Sequence, residues 1–277
     1  MNNSIEIIIV LYHCSLIESV TFQSIKMKLN RLYINYELVL YNNDNTQKIE
    51  DSRFIIVNSE NNQKLAGAYN FALDRAIKNG KKWILLLDQD TVIPENYFDE
   101  LQKLLETDYS SDLVAIVPTL VSEGRVLSPK KISSNMRFES DIKEIGYIQK
   151  RINAVNSMSL LNVNFIKSIG GFSENYSFDM LDQWYFNQIY KYRKFIYILP
   201  VITKHDSSFV NLEKNVSVVR YKEFLQAESS FISNELRWIK YIFYKLKLLI
   251  RSIKQFIRFK NKKYSIATLS SIFKLQL

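Results

Sequence analysis

Short apolar runs alternate with stretches of helical periodicity over about the first two hundred residues. Ile5-Glu6-Ile7-Ile8-Ile9-Val10-Leu11 is β-branched and almost unbroken, the pattern of a strand covered on both faces. The spacing predicts a helix around 16–29 and a second strand over 36–41, stopped by the turn cluster Asn42-Asn43-Asp44-Asn45. Residues 53–57 read as a third strand and 65–78 as a helix closed by Asn79-Gly80. A fourth strand, 83–87, runs directly into Asp88-Gln89-Asp90. Pro94 suits the first turn of a helix reaching about residue 105, and 113–117 forms a fifth strand. This alternation predicts an α/β fold, a doubly wound Rossmann-like sheet with helices on both faces.

Between 121 and 152 the pattern weakens and a loop or acceptor-facing excursion is expected. Apolar runs resume at 154–163, followed by Gly170-Gly171-Phe172, a helix over 182–192 and a strand over 195–199. The end of the chain is helical by pattern. Leu236, Ile239, Phe243, Leu246, Ile250, Ile253 and Ile257 step by three and four and fall within about 100° of arc. Lys240, Lys247, Arg251, Lys254 and Arg258 occupy the neighbouring arc. Three environments suit such a helix, which also carries Trp238 and Phe256: an anionic membrane surface, the α/β domain before it, or a coiled-coil partner in a homodimer. The expected division is therefore 1–213, split at 117, followed by a basic helical tail over 214–277.

Charge sharpens that division. The chain carries +9 overall, yet residues 214–277 hold 14 Lys or Arg against three Glu, so the excess belongs to the tail. Such asymmetry points to an anionic partner. No nucleic-acid-binding module accompanies it, so nucleic acid is not the expected partner. One cysteine, Cys14, excludes a disulfide framework and a cysteine zinc site, and two histidines exclude a His-rich metal centre. No secretory signal is visible and no uncharged stretch is long enough to span a bilayer, so a cytoplasmic location is expected.

Asp88-Gln89-Asp90 is the sharpest chemical feature. Ile84 to Leu87 deliver two carboxylates to the carboxyl end of a central strand, where open α/β sheets bind ligands. Two carboxylates one residue apart can share a hard cation, Mg²⁺ or Mn²⁺, whose shell is completed by substrate phosphate. Asp182 precedes the aromatic run Trp184-Tyr185-Phe186, a setting that desolvates a carboxylate; a helix N-cap is the plainer role for it, and Asp179 is the alternative base. His205, following a strand, is either a metal ligand or a satisfied polar histidine.

Taken in order, Ile5–Leu11, Leu38 to Asn43, Asn62 to Asn70, Leu-Leu-Leu-Asp-Gln-Asp, Gly170-Gly171-Phe172, Asp179 to Trp184 and His205-Asp206-Ser207 resemble the inverting glycosyltransferases of family 2. Among these the Asp-Gln-Asp spelling is similar to that of bacterial rhamnosyltransferases and capsule or exopolysaccharide enzymes. The resemblance implies a GT-A catalytic domain with a mixed sheet, whose halves 1–117 and 118–213 would bind the nucleotide sugar and the acceptor. It implies that Leu11, Tyr12, His13, Asn42, Asn43, Asn62, Asn70, Asp88 and Gln89 surround a nucleotide sugar, dTDP- or UDP-linked. Asp88, Asp90 and His205 would hold the metal, and Asp182 would be the general base. Two positions depart from the family pattern: Asn42 stands where Asp is common, and Lys64 replaces a glycine.

The implied activity is transfer of a hexose or deoxyhexose, rhamnose among them, to a saccharide acceptor. That acceptor would be lipid-linked, with the enzyme peripheral on the inner face of the plasma membrane in surface-polysaccharide synthesis. Leu-Leu-Leu-Asp-Gln-Asp-Thr-Val also resembles the nucleophile loop of haloacid dehalogenase-type Mg²⁺-dependent phosphatases, which is the alternative enzyme. A non-catalytic peripheral membrane adaptor is the alternative outside catalysis.

Overall fold

The computed structural model describes residues 3–132, 139–205, 212–236 and 238–273. They form two compact units, 3–205 and 212–273. The first unit runs β1 (Ile5–Leu11), α1 (Val20–Lys26), β2 (Tyr36–Asn42), β3 (Ile55–Asn58), α2 (Lys64–Lys78), β4 (Trp83–Asp88) and α3 (Tyr97–Glu106). It continues through β5 (Leu113–Ser122), β6 (Arg125–Ser128), β7 (Lys130–Ile132), β8 (Glu139–Asp141), β9 (Gly146–Ile148), β10 (Ile152–Asn153) and β11 (Ser159–Asn162). Helices α4 (Val163–Ser168) and α5 (Leu181–Lys191) and strand β12 (Phe195–Lys204) complete it.

Among the described residues nine strands form one mixed sheet in the order β3-β2-β1-β4-β11-β5-β12-β9, with β6 paired on β5. β1 to β4 are mutually parallel, as their near-continuous apolar runs require, and every residue of β1 is buried. β11 enters antiparallel between β4 and β5, so the sheet is mixed at its centre. Periodicity alone cannot show this, because an apolar run reads the same in either direction.

Several boundaries differ from the sequence expectation. The segment 121–152 is not an open loop: β6 and β9 join the main sheet, while β7, β8 and β10 make a small sheet of their own. These strands are two to four residues long, too short to show an alternation. β5 and β12 each extend to ten residues by pairing with one another. α1 starts only at Val20, where the Ser19 hydroxyl accepts the Phe22 N–H, and α3 starts at Tyr97 after a turn closed by the Tyr97 N–H on the Pro94 carbonyl.

One charge sits in the buried strand β1. Glu6 is fully buried, and its Oε1 accepts from Arg75 Nε of α2 at 2.8 Å. Arg75 also reaches Glu37 at 2.8 Å, and Lys81 reaches Glu37 at 2.9 Å. This network docks α2 against the sheet, with Ala66, Ala68, Ala72 and Ala76 letting the helix approach closely.

The second unit comprises α6 (Leu212–Asn215), α7 (Val218–Glu235), α8 (Trp238–Arg258) and α9 (Lys263–Phe273). Ser217 caps α7 through the Arg220 N–H. The helices meet through an unusually polar seam: Ser252 bonds Ser265, Gln255 donates to the Tyr221 hydroxyl, and Thr268 donates to Gln255. Arg251 makes a two-pronged bond to Glu228 at 2.7 and 2.8 Å. Arg251, expected on the open basic arc, is thus turned inward. The side chains of Trp238, Ile239 and Lys240 lie outside the described residues.

Candidate active site

The parallel register brings four strand ends to nearly one level. Leu11 pairs with Asn42, Val10 with Asp88, and Asn42 with Asn58. The strand order reverses between β1 and β4, and the crevice at that reversal is where open α/β sheets take ligands. The loop after β1 and the Asp-Gln-Asp turn are joined directly, since the Tyr12 N–H donates to Gln89 Oε1 at 2.8 Å. Ser19 and Thr21 at the start of α1 clasp the same turn: Ser19 Oγ donates to the Gln89 carbonyl and Thr21 Oγ1 to that of Asp88. A cavity of about 560 Å³ lies elsewhere, among Asn3, Asn35, Leu105 and Asp108 at the amino ends of the strands, remote from these groups.

Asp88 is half-buried and Asp90 exposed. Burial pushes the Asp88 carboxyl up to about 6, the Asp90 charge adding to it and His205 working against it. His205 is buried, and its Nδ1 lies 3.2 Å from Thr91 Oγ1, which in turn lies 2.8 Å from Ser157 Oγ. The Asp88 N–H reaches the same Ser157 hydroxyl at 3.4 Å. A chain of polar contacts therefore links His205 to the Asp-Gln-Asp strand through Thr91 and Ser157, two residues that the sequence does not single out. Asp206 and Ser207 of the same motif lie outside the described residues.

Asp182 sits in the first turn of α5, facing the positive end of the helix dipole. It is not the N-cap: that position is Met180, at φ 65°, with no side-chain bond. Burial pushes Asp182 up to about 6; the Gln183 N–H on Oδ1 (2.7 Å) opposes this, and the charges of Asp179 and Asp88 add to it. The charge of Asp88 is therefore felt at Asp182, so the end of β4 and the start of α5 are electrostatically linked. Tyr69 of α2 is the third member of this group. Its hydroxyl is buried without a hydrogen-bond partner among the described residues, and burial, with the charges of Asp88 and Asp182 adding, pushes the phenol well up. Sequence reading missed Tyr69 because a tyrosine at helical spacing reads as core.

The nucleotide-binding residues implied by the resemblance divide into two sets. Asn42, Asn43 and Asn70 have their amides engaged by the fold. Asn42 donates to the Gln47 carbonyl and Asn58 Oδ1 while accepting from the Asp44 N–H. Asn43 ties β2 to the start of α2 through the Lys64 carbonyl and the Gln63 N–H. Asn70 clamps the Phe172 backbone with both amide atoms, at 2.7 and 2.9 Å. Gly171 has to be glycine beneath that clamp: its φ is 89°, and a Cβ would lie 2.9 Å from Asn70 Oδ1.

Asn62 is exposed and accepts the Lys64 N–H. Lys64 has φ 56°, which explains why a glycine is expected there. Leu11 is buried, and its carbonyl accepts the Asn43 N–H. Tyr12 and His13 remain open, with rings 4.0 Å apart, and His13 Nδ1 lies 2.8 Å from the buried Asp44 carboxylate.

The donor set suits a hard divalent cation in part. Asp88 and Asp90 offer oxygen ligands, and the repulsion that raises Asp88 is what a dication relieves. Among the described residues, however, no three His, Cys, Asp or Glu side chains form a cluster able to hold a metal, so Asp88, Asp90 and His205 are not a preassembled ligand set. The arrangement fits Mg²⁺ or Mn²⁺ bound by one or two carboxylates and completed by phosphate and water. It does not fit a closed protein cage.

A family model, Glycosyl transferase family 2, matches residues 6–169. No protein of curated function matches the chain. The fold is similar to that of S. aureus TarS residues 1–349, with TM-score 0.51 and 13% identity over 96% of this chain and 90% of that one. A TarS structure in complex with UDP gives TM-score 0.51 at 12% identity, with the same coverage. The mannosyltransferase PcManGT from Pyrobaculum calidifontis, in complex with GDP-Man and Mn²⁺, gives TM-score 0.52 at 10% identity over 96% of this chain and 73% of that one. At these identities the likeness is one of fold, the mixed α/β GT-A architecture. The carboxylates at the β1/β4 crevice, the sheet order and the family match converge: the chain belongs to glycosyl transferase family 2.

Proposed function

We propose that this family 2 enzyme is an inverting glycosyltransferase, moving a hexose or deoxyhexose from a nucleoside-diphosphate sugar to a saccharide acceptor. The observation that carries the reading is the pair of carboxylates, Asp88 and Asp90, at the carboxyl end of β4 where the strand order reverses, with the Asp88 charge felt by the raised carboxyl of Asp182. TarS with UDP and the mannosyltransferase with GDP-Man and Mn²⁺ support a nucleotide-sugar donor and a divalent cation. Asp90, exposed, and Asp88 behind it would hold that cation. When bound, it supplies Lewis-acid stabilisation to the departing diphosphate.

The chain's own residues supply the rest. The Asp182 carboxylate takes the proton of the acceptor hydroxyl, whose oxygen attacks the sugar C1 from the face opposite the diphosphate and so inverts it. A carboxyl raised to about 6 is ionised at neutral pH yet a stronger base than an ordinary aspartate. Tyr12 and His13 lie open beside the crevice to meet the base or ribose of a dTDP or UDP donor. Family membership sets aside the phosphatase and adaptor alternatives; moreover Asp88 ends the fourth strand, whereas the phosphatase loop follows the first.

We assign the acceptor to the lipid-linked saccharides of cell-surface polysaccharide assembly, with the enzyme peripheral at the cytoplasmic membrane face and rhamnose among its donor sugars. The basic tail supports that location, and no helix among the described residues is long and apolar enough to cross a membrane. Calorimetric titration with UDP, dTDP and GDP, with and without Mn²⁺, tests the donor site. Metal-dependent binding lost in Asp90→Ala is expected. Absence of binding to all three nucleotides would overturn the reading.

A further inference from the structure

The helix α8 is turned inside out relative to an ordinary surface helix. Its inward face is Tyr244, Leu248, Arg251, Ser252 and Gln255, four of the five polar and bonded to α7 or α9. Eight apolar residues point the other way. Ile242, Phe243, Leu246, Leu249, Ile250, Ile253, Phe256 and Ile257 are each 40–74% exposed. At about 100° per residue they fill an arc of roughly 140°, centred nearly opposite the buried stripe. If each presents about half of a 200 Å² side chain, the patch is on the order of 800 Å². That exceeds the few hundred Å² a soluble monomer normally leaves in water.

Charge says what covers it. Lys247, Lys254 and Arg258 are exposed along one edge of the arc, and Lys260, Lys262 and Lys263 at the turn into α9. From residue 236 to the end of the chain there is no Asp or Glu. A second copy seated on this face would bring cation against cation, with none of the opposite-charge flanks that stabilise helix pairs. The arc is also broader than a two-position coiled-coil seam. A bilayer with anionic headgroups meets both demands: its acyl boundary receives the wide apolar face, and its phosphates meet the lysines at the edge.

We propose that α8 lies in the plane of an anionic bilayer with this apolar arc inserted, so that the second unit is a hydrophobic anchor rather than a purely electrostatic one. This rests on the surface attachment proposed above and is independent of the transfer reaction. The polar seam keeps α8 folded on α7 and α9 while leaving these eight apolar side chains for the membrane. At about 1.5 Å per residue the helix is about 32 Å long, lying flat rather than crossing.

The test is co-sedimentation of the full chain with phosphatidylcholine vesicles and with vesicles containing about 30% phosphatidylglycerol, at low salt and at about 0.5 M NaCl. Binding to the anionic vesicles is expected, with a substantial part surviving high salt because the apolar contact is not screened. Ile253→Glu with Phe256→Glu alters exposed positions only. It should leave the melting temperature unchanged and lower partitioning by roughly tenfold or more. Lys247→Ser with Lys254→Ser should lose the anionic preference and keep the salt-resistant part. Wild type remaining in the supernatant, binding abolished entirely by salt, or an unaffected glutamate variant would each overturn the proposal. So would a dimer in size-exclusion chromatography that the glutamate variant converts to monomer. Nucleotide titration of the same variants separates the two ideas: binding there is unchanged if only the anchor is lost, and absent in wild type if the glycosyltransferase reading fails.

Discussion

Replacing Asp182 by Asn separates the cost of this carboxylate to the fold from its service to the reaction. Asn keeps the acceptor for the Gln183 N–H and removes only the charge. In the folded chain burial lifts the carboxyl from 3.8 to about 6, so the native state holds the proton more tightly than the unfolded chain does. Ionised Asp182 therefore destabilises the fold at neutral pH, and that cost fades as pH falls through 6 towards 3.8. A gap of about two units corresponds to about 3 kcal/mol above pH 6, an upper bound for a half-buried group. At about pH 4.5 the linkage relation leaves about 1 kcal/mol of it.

Asp182→Asn should accordingly be more stable than wild type at about pH 7.5, by about 1–3 kcal/mol or several degrees in melting temperature. The gain should shrink to about a third by pH 4.5. In the same variant kcat should fall by about 10²–10⁴-fold while nucleotide affinity is kept. Wild-type kcat/KM should lose tenfold per pH unit below about 6. Urea titrations across pH, paired with donor-transfer kinetics, supply the measurement. A destabilised variant at pH 7.5, or a gain that does not vary with pH, would refute the argument that burial of this carboxylate is retained for function.

Two further outcomes probe the frame around the crevice. Arg75→Met strands the fully buried Glu6 and should cost about 3–5 kcal/mol in urea unfolding at neutral pH, most of it recovered by adding Glu6→Gln; an additive double variant would contradict the pairing. Gly171→Ala forces a Cβ to 2.9 Å from Asn70 Oδ1 at φ 89° and should cost about 1–3 kcal/mol, with weakened donor binding as the Phe172 turn shifts. Unchanged melting in that variant would mean that the clamp yields freely.

The catalytic fold was legible wherever a strand is covered on both faces. Ile5–Leu11 and Trp83–Asp88 carry the apolar runs of buried parallel strands, and the carboxylates that end β4 follow from the order of residues alone. The desolvation of Asp182 was also legible, because an aromatic run follows it directly in sequence. The insertion of β11 and the short strands of 121–152 were not legible, since direction and pairing partner leave no trace in a brief apolar run. Nor were the tasks of Asn42, Asn43 and Asn70. An asparagine near a nucleotide loop and one that locks that loop look alike until their amide partners, as many as 102 residues distant, are in place.

The helix α8 marks the division most sharply. Its amphipathicity and its basic flank were determined by the sequence, for they depend only on spacing and residue type. Which face turns inward was decided by the tertiary structure. Ser252, Gln255 and Arg251 find partners on α7 and α9 that satisfy them, and the apolar side chains are left outward. The same holds in the crevice. The presence of Asp88, Asp182 and Tyr69 is a matter of sequence, but the pull of the Asp88 charge on Asp182, and of both on Tyr69, arises only in the folded chain, because burial and neighbouring charge are properties of packing.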